Sequence, residues 1–279
     1  MLVAVAAVKG SPGVTTLALA LGAQRPGGQR AVVVEADPAG GDLAARFGLP
    51  GQPGLVTLAA AARREQDPGL LEGHTQRLLG GRVSVVLGAA GAEQARAAVG
   101  ALTGAGLGWA TRPDVVVIMD CGRWDAGSPT TPLLRAADAV LLVVRPRADE
   151  LAHLAARLPQ IAGWRGIPGL VLAGRDGYRP QEIRHALGVP VMAVVPADPR
   201  TAGVLRGQAR WRGRTGRWPL LRAAAGIART FSADRPHPVS PGDAATPAPA
   251  IARSARVEQQ PMAAAASGNA AAVTSGARR

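Results

Sequence analysis

From its first residue to about residue 231, the chain alternates short, unbroken apolar runs with longer Ala- and Leu-rich stretches. That rhythm constrains the fold more than any other feature. Leu2–Val8, Ala31–Glu35, Val83–Leu87, Val115–Met119, Ala139–Val144, Leu170–Ala173 and Val191–Val195 are of strand length. Several are Val-rich with no polar alternation, the pattern of strands buried on both faces. Between them Thr16–Ala23, Leu55–Arg64, Glu93–Leu102, Asp149–Ile161 and Pro180–Leu187 read as helices. Strands and helices in alternation predict an α/β fold, a mostly parallel central sheet flanked by helices in three layers. In such a sheet ligands bind beyond the carboxyl ends of the strands, so the loops after strands are where chemistry is to be sought.

Composition sets the limits of that fold. With 47% hydrophobic residues among 279, residues 1–231 can bury one sizeable core. Residues 232–279 are rich in Ala, Pro and Ser without an apolar period, and read as a disordered tail. The single cysteine, Cys121, excludes an intrachain disulfide and is expected in a reducing compartment. No run of eighteen apolar residues predicts a membrane-spanning helix. The opening MLVAVAAVKG has no basic region before its apolar run, so it does not read as a secretion signal. His74, His153, His185 and His237 lack metal-ligand spacing, and no zinc site is inferred.

The loop after the first strand reads Lys9-Gly10-Ser11-Pro12-Gly13-Val14-Thr15-Thr16. A Gly-containing turn between a buried strand and a helix N-terminus presents free N–H groups and a positive dipole end to an anion. Gly10 and Gly13 let the backbone approach a phosphate, and Thr15 places a hydroxyl where Mg²⁺ would sit. Against the pattern G-x-x-x-x-G-K-[ST], Gly13 and Thr15 fit, but Val14 stands in the lysine's place and Val8 in that of the first glycine. The chain carries 32 basic residues, and Lys9 is the one lysine among them. A lone lysine would fall in a given eight-residue loop about one time in thirty-five. Lysine is a compact point charge suited to phosphate. The bland alternative is a Gly/Pro turn with an incidental lysine.

The loop resembles the deviant Walker A motif, K-G-G-x-G-K-[ST]-[ST], of the MinD/ParA family of P-loop ATPases. The resemblance covers residues 1–229 in order. It implies that Lys9, matching the signature lysine, reaches across a nucleotide-sandwich dimer. It also implies ATP and Mg²⁺ as cofactors, bound through Lys9, Gly10, Ser11, Pro12, Gly13, Val14, Thr15 and Thr16. Val14 breaks the pattern at the in-loop lysine and weakens the case for hydrolysis. The segment after Ala31–Glu35, Asp37-Pro38-Ala39-Gly40-Gly41-Asp42, resembles the family's switch I. Asp37 matches the aspartate that orients the attacking water and reaches Mg²⁺ through water, and Glu35 replaces the first aspartate. Alternatively Asp37 caps the following turn, since Asp-Pro favours turn initiation.

Val115–Met119 leads into Asp120, a Walker B shape in which Asp120 at the strand's carboxyl end binds Mg²⁺ through water. Cys121 beside it reads as packing, and Asp114 as a strand-entry cap. Ala137–Pro146 resembles the family's A-D-x-v-l-l-V-x-x-P strand. Gly188–Asp198 resembles its proline loop near the adenine, which brings in Pro196 and Asp198, and Arg175 stands close to the base-reading asparagine. Gly41-Asp42-Leu43, Phe47-Gly48-Leu49 and Gly54-Leu55 look closest to the MinD and CpaE/TadZ branches.

No acidic residue occurs from Arg200 to Arg229. Arg206, Arg210, Arg212, Arg214 and Arg217, with Trp211 and Trp218, form a segment suited to DNA phosphates or an anionic membrane face, or simply a solvated basic surface. Gly207, Gly213, Gly216 and Pro219 make Arg206–Trp218 a poor helix. Three functions are expected in order. The first is a nucleotide-dependent homodimeric switch with slow ATP hydrolysis that positions or segregates a cargo. It would act in the cytoplasm, on nucleoid or inner membrane, with a further partner protein. The second is a non-hydrolysing scaffold of the same family, motivated by Val14. The third is a metabolic P-loop synthetase or kinase.

Overall fold

The valine runs become the centre of a sheet. The structure, a computed structural model, describes residues 1–24, 29–65, 67–166, 168–212 and 218–231, all within one unit, Met1–Asp243. The tail expected over 232–279 lies outside the described residues, as do Arg214 and Arg217. In chain order the elements are β1 (Leu2–Ala7), α1 (Val14–Gln24), β2 (Arg30–Glu35), α2 (Leu43–Phe47), α3 (Leu55–Ala62), α4 (Leu70–Gly73), β3 (Gln76–Leu78), β4 (Val83–Val86) and α5 (Ala92–Gly104). After these come β5 (Val115–Arg123), α6 (Thr131–Ala136), β6 (Ala139–Val144), α7 (Ala148–Ile161), β7 (Pro168–Ala173), α8 (Pro180–Leu187), β8 (Val191–Val195), α9 (Pro199–Leu205) and α10 (Pro219–Thr230). The described strands form one sheet of order β3-β4-β2-β5-β1-β6-β7-β8. Every pairing in it is parallel except β3 with β4. This is the mostly parallel, helix-flanked, three-layer sheet expected from the sequence.

Alternate residues of each central strand feed two cores. Ala4, Ala6, Val32, Val34, Val117, Met119 and Leu142 join Leu58, Val99, Leu102, Leu134, Leu154 and Ile183 on the face covered by α3, α5, α6, α7 and α8. Val3, Val5, Val33, Val116, Ile118 and Leu141 join Leu17–Leu21 of α1 and Leu220, Leu221, Ala224, Ile227 and Ala228 of α10 on the other. Burying one such side chain is worth about 1.5–3 kcal/mol, so the period-two split of the strands holds the helical layers in place. Helix α1 is apolar nearly all round because it is sandwiched between the sheet and α10. Gly22 lets it settle there, since a Cβ at that position would lie 2.7 Å from Val33 Cγ2.

The sheet departs from expectation in three places. Strand β5 runs on to Arg123, so Asp120 is paired inside the strand, opposite Val5 on one side and Glu35 on the other. The β1–β5 register shifts between Val5 and Ala7, and this irregularity carries Cys121 and Gly122 past the end of the apolar run. Strand β3 is a three-residue antiparallel edge, too short to show a period. Helix α10 carries an apolar stripe and closes the α1 face, although no helix was expected there. Arg206 to Arg212 is not helical, in keeping with its glycines.

Candidate functional site

Three neighbouring strands, β2, β5 and β1, end at one place. The loop Lys9-Gly10-Ser11-Pro12-Gly13 leaves β1 and enters α1 at Val14. Gly10 (φ +65°) and Gly13 (φ +106°) take left-handed conformations that side chains disfavour. The Leu17 N–H already donates to the Gly13 carbonyl, at 2.9 Å. The amides nearer the loop therefore face outward at the helix N-terminus, where an anion is favoured.

A cavity of about 790 Å³ opens in front of this loop. Gly10, Ser11, Gly13, Val14, Thr15 and Thr16 form its floor, and Asp37, Pro38, Ala39 and Asp42 one wall. Gly122, Arg123 and Asp125 form the opposite wall. A smaller recess of about 220 Å³ adjoins it, with Pro12, Leu17, Val143, Val171, Val195, Pro196 and Leu220 among its walls. Gly13, Thr16 and Arg206 belong to both. Lys9 is exposed at the loop's start and does not wall the cavity. Arg175 does not line the recess but lies in a neighbouring hollow with Pro146, Tyr178 and Arg179.

Three carboxylates converge under the cavity. Asp120 is fully buried and its pKa is pushed up to about 7, chiefly by burial and then by the neighbouring charges of Glu35 and Asp37. The nearby Thr15 hydroxyl and the Gly122 N–H, which donates to Oδ1 at 3.2 Å, work against that rise. Oδ2 of Asp120 has no hydrogen-bond partner among the described residues. An orphaned, buried carboxylate oxygen beside a threonine hydroxyl fits a hydrated divalent cation better than it fits an apolar interior. No group of three or more His, Cys, Asp or Glu among the described residues is arranged as a metal cage. Mg²⁺ needs none, because it is usually held by one or two carboxylates, substrate phosphates and waters.

Asp37 forms the turn that its Asp-Pro context suggests and faces the cavity as well. Its Oδ1 accepts the Ala39 N–H at 2.8 Å, the turn-forming bond expected of Asp-Pro, while its carboxyl lines the cavity. Burial raises its pKa. Glu35 has another task from the aspartate it replaces. Its carboxylate accepts the N–H groups of Asp42 (2.7 Å), Leu43 (3.0 Å) and Gly88 (2.8 Å). It thereby pins the loop after β2 to the loop after β4. Asp198 lines the recess and also accepts from Thr201 N at 3.0 Å as the N-cap of α9 and from Leu220 N at 3.3 Å. Pro196 stays in the apolar recess.

Val14 is 6% exposed and packs into the α1-side core, so the lysine's place is occupied by core structure. The cavity carries arginines instead. Arg46 of α2, Arg96 of α5, Arg123 and Arg206 all wall it. Arg123 ends β5, and Arg206, of the basic segment, follows α9. Arg46 and Arg96 come from distant helices and had no signal in the sequence. Arg145 is committed elsewhere, its Nη1 lying 3.0 Å from Oε1 of buried Glu150 behind Gly10. Among the other basic-segment residues, Arg210 and Arg212 are exposed, while Trp211 packs on Trp218 with Arg82 over its ring.

No family model matches the chain, and no curated protein matches it. Solved structures do share its fold. The cell division ATPase MinD of Pyrococcus furiosus superposes with a TM-score of 0.61 at 20% identity, over 81% of this chain and 96% of that one. A ParA family ATPase of Chlorobium tepidum gives 0.62 at 16% identity, over 81% and 98%. Cobyrinic acid a,c-diamide synthase of Mycobacterium smegmatis, solved with a bound ATP analogue and magnesium, gives 0.52 at 21% identity, over 74% and 91%. The chain therefore has the fold of the MinD and ParA ATPases.

Proposed function

We propose that the chain is an ATP- and Mg²⁺-binding molecular switch of the MinD/ParA kind, which closes as a homodimer on nucleotide and positions or segregates a cellular cargo from the cytoplasm. One observation carries this reading: the glycine-turned loop with Thr15, and Asp37, line one cavity at the ends of three adjacent strands, with the Asp120 carboxylate buried beneath it. The fold neighbours named as ATPases support it.

The residues divide the work by position. Amides of Gly10 to Thr15 bind the phosphates, and the α1 dipole favours their charge. The recess around Pro12 and Pro196 takes the base. Thr15 and Asp120 hold the cation's water shell, and bound Mg²⁺ would supply charge neutralisation on the β- and γ-phosphates. Asp37 orients the attacking water. Exposed Lys9 reaches to the partner subunit's phosphates. Arg210 and Arg212 offer phosphate contacts to DNA or an anionic membrane face. Among the described residues no helix is long and apolar enough to cross a membrane.

Turnover of ATP by the purified protein, with and without DNA or lipid vesicles, tests this reading. Activity that disappears in Lys9→Ala and in Asp37→Ala, with ATP-dependent doubling of mass in light scattering, supports the switch. A second reading follows from the burial of Val14: a scaffold that binds nucleotide and dimerises without turnover. Binding and dimerisation with no phosphate release would favour it.

A further inference from the structure

Val14 removes the cation that a phosphate loop ordinarily carries, yet the cavity in front of the loop is lined by guanidinium groups. They are not equivalent. Arg46 donates to Asp42, and Arg96 donates to the Pro38 carbonyl at 3.3 Å. Arg123 faces the Asp37 charge. The Arg206 guanidinium makes no hydrogen bond or ion pair among the described residues, and it is exposed at the cavity's edge.

Its place is fixed by its neighbours. The Arg206 N–H donates to the Ala202 carbonyl at 2.9 Å, closing the last turn of α9. The next residue, Gly207, has φ +77°, and a Cβ there would lie 2.4 Å from the Arg46 carbonyl oxygen. Only glycine allows the chain to pass so close to α2. Arg206 is thereby held where the phosphate cavity and the apolar recess meet, the one cationic residue that walls both. A ligand with an apolar ring in the recess and anionic groups over the loop passes under it.

We propose that Arg206 supplies from outside the loop the phosphate-binding cation that Val14 has displaced, so that nucleotide affinity depends on the α9–Gly207 segment. The inference rests on the nucleotide reading above and sets Arg206 apart from Arg210 and Arg212. A guanidinium engages two phosphate oxygens through a planar bidentate fork, whereas a loop lysine acts as a point charge.

Calorimetric titration of the full chain with ATP and Mg²⁺ tests it, using wild type, Arg206→Ala, Arg206→Lys and the exposed control Arg64→Ala. A charged hydrogen-bonded contact to phosphate is worth a change in Kd of about tenfold or more. Arg206→Ala should weaken binding by that factor, Arg206→Lys by less, and Arg64→Ala not at all. Arg206→Ala binding ATP as tightly as wild type, or losing only DNA or vesicle binding, overturns the inference. Wild-type protein that takes up no ATP overturns the nucleotide reading itself.

Discussion

A Cβ on Gly122 would lie 2.1 Å from Cγ of Asp37, so the carboxylate of one strand-end loop rests directly on the bare backbone of another. Gly122 also takes φ +58°. Both features need glycine at the same residue. The contact couples the loop after β2 to the end of β5, the two segments that face the phosphate loop.

Gly122→Ala should therefore push Asp37 away and strain the backbone, costing about 1–3 kcal/mol. Chemical denaturation should show that loss, and any ATP turnover should fall with it. Unchanged stability would mean that Asp37 is free to move aside.

Glu35 is expected to be structural. Glu35→Ala leaves three backbone N–H groups without their acceptor. Removing it should cost roughly 2–4 kcal/mol in a urea melt. Glu35→Gln, which keeps an acceptor oxygen, should lose less. Equal losses would show that the charge matters more than the bonds.

Asp120 sets a pH dependence in the metal-free protein. Its folded pKa of about 7 lies above the ordinary 3.8, so the folded state holds the proton longer. Its contribution to stability is complete below the ordinary value. That contribution declines as pH rises toward about 7, and is flat beyond. Asp120→Asn should flatten this slope in melts from pH 4 to 8. Mg²⁺ competes with the proton, so stabilisation by Mg²⁺ with ATP should be larger at pH 8 than at pH 6.

What could be read from the chain follows physical locality. Strands β1, β2 and β6 were legible because both of their faces are buried, which forces unbroken Val, Leu and Ala runs. The loop from Lys9 to Thr16 was legible because its chemistry is contiguous. Helix α10 carries Leu220, Leu221, Ala224, Ile227 and Ala228 at helical spacing, but the glycines before it break the pattern locally and make the stretch read as a loop. Asp198 carries the local signature of an N-cap, followed by Pro199 and Thr201, and lines the recess as well. Arg46, Arg96 and Arg206 reach the cavity only through tertiary packing, and nothing in their spacing announces it.

Thermal melting of the full chain across an ATP series with Mg²⁺ addresses the central claim, that the loop from Lys9 to Thr16 holds polyphosphate. A ligand that binds only the folded state raises Tm progressively with its concentration. We predict such a rise with ATP and none with adenosine at equal concentration. A Tm that stays fixed through millimolar ATP and GTP would contradict the account.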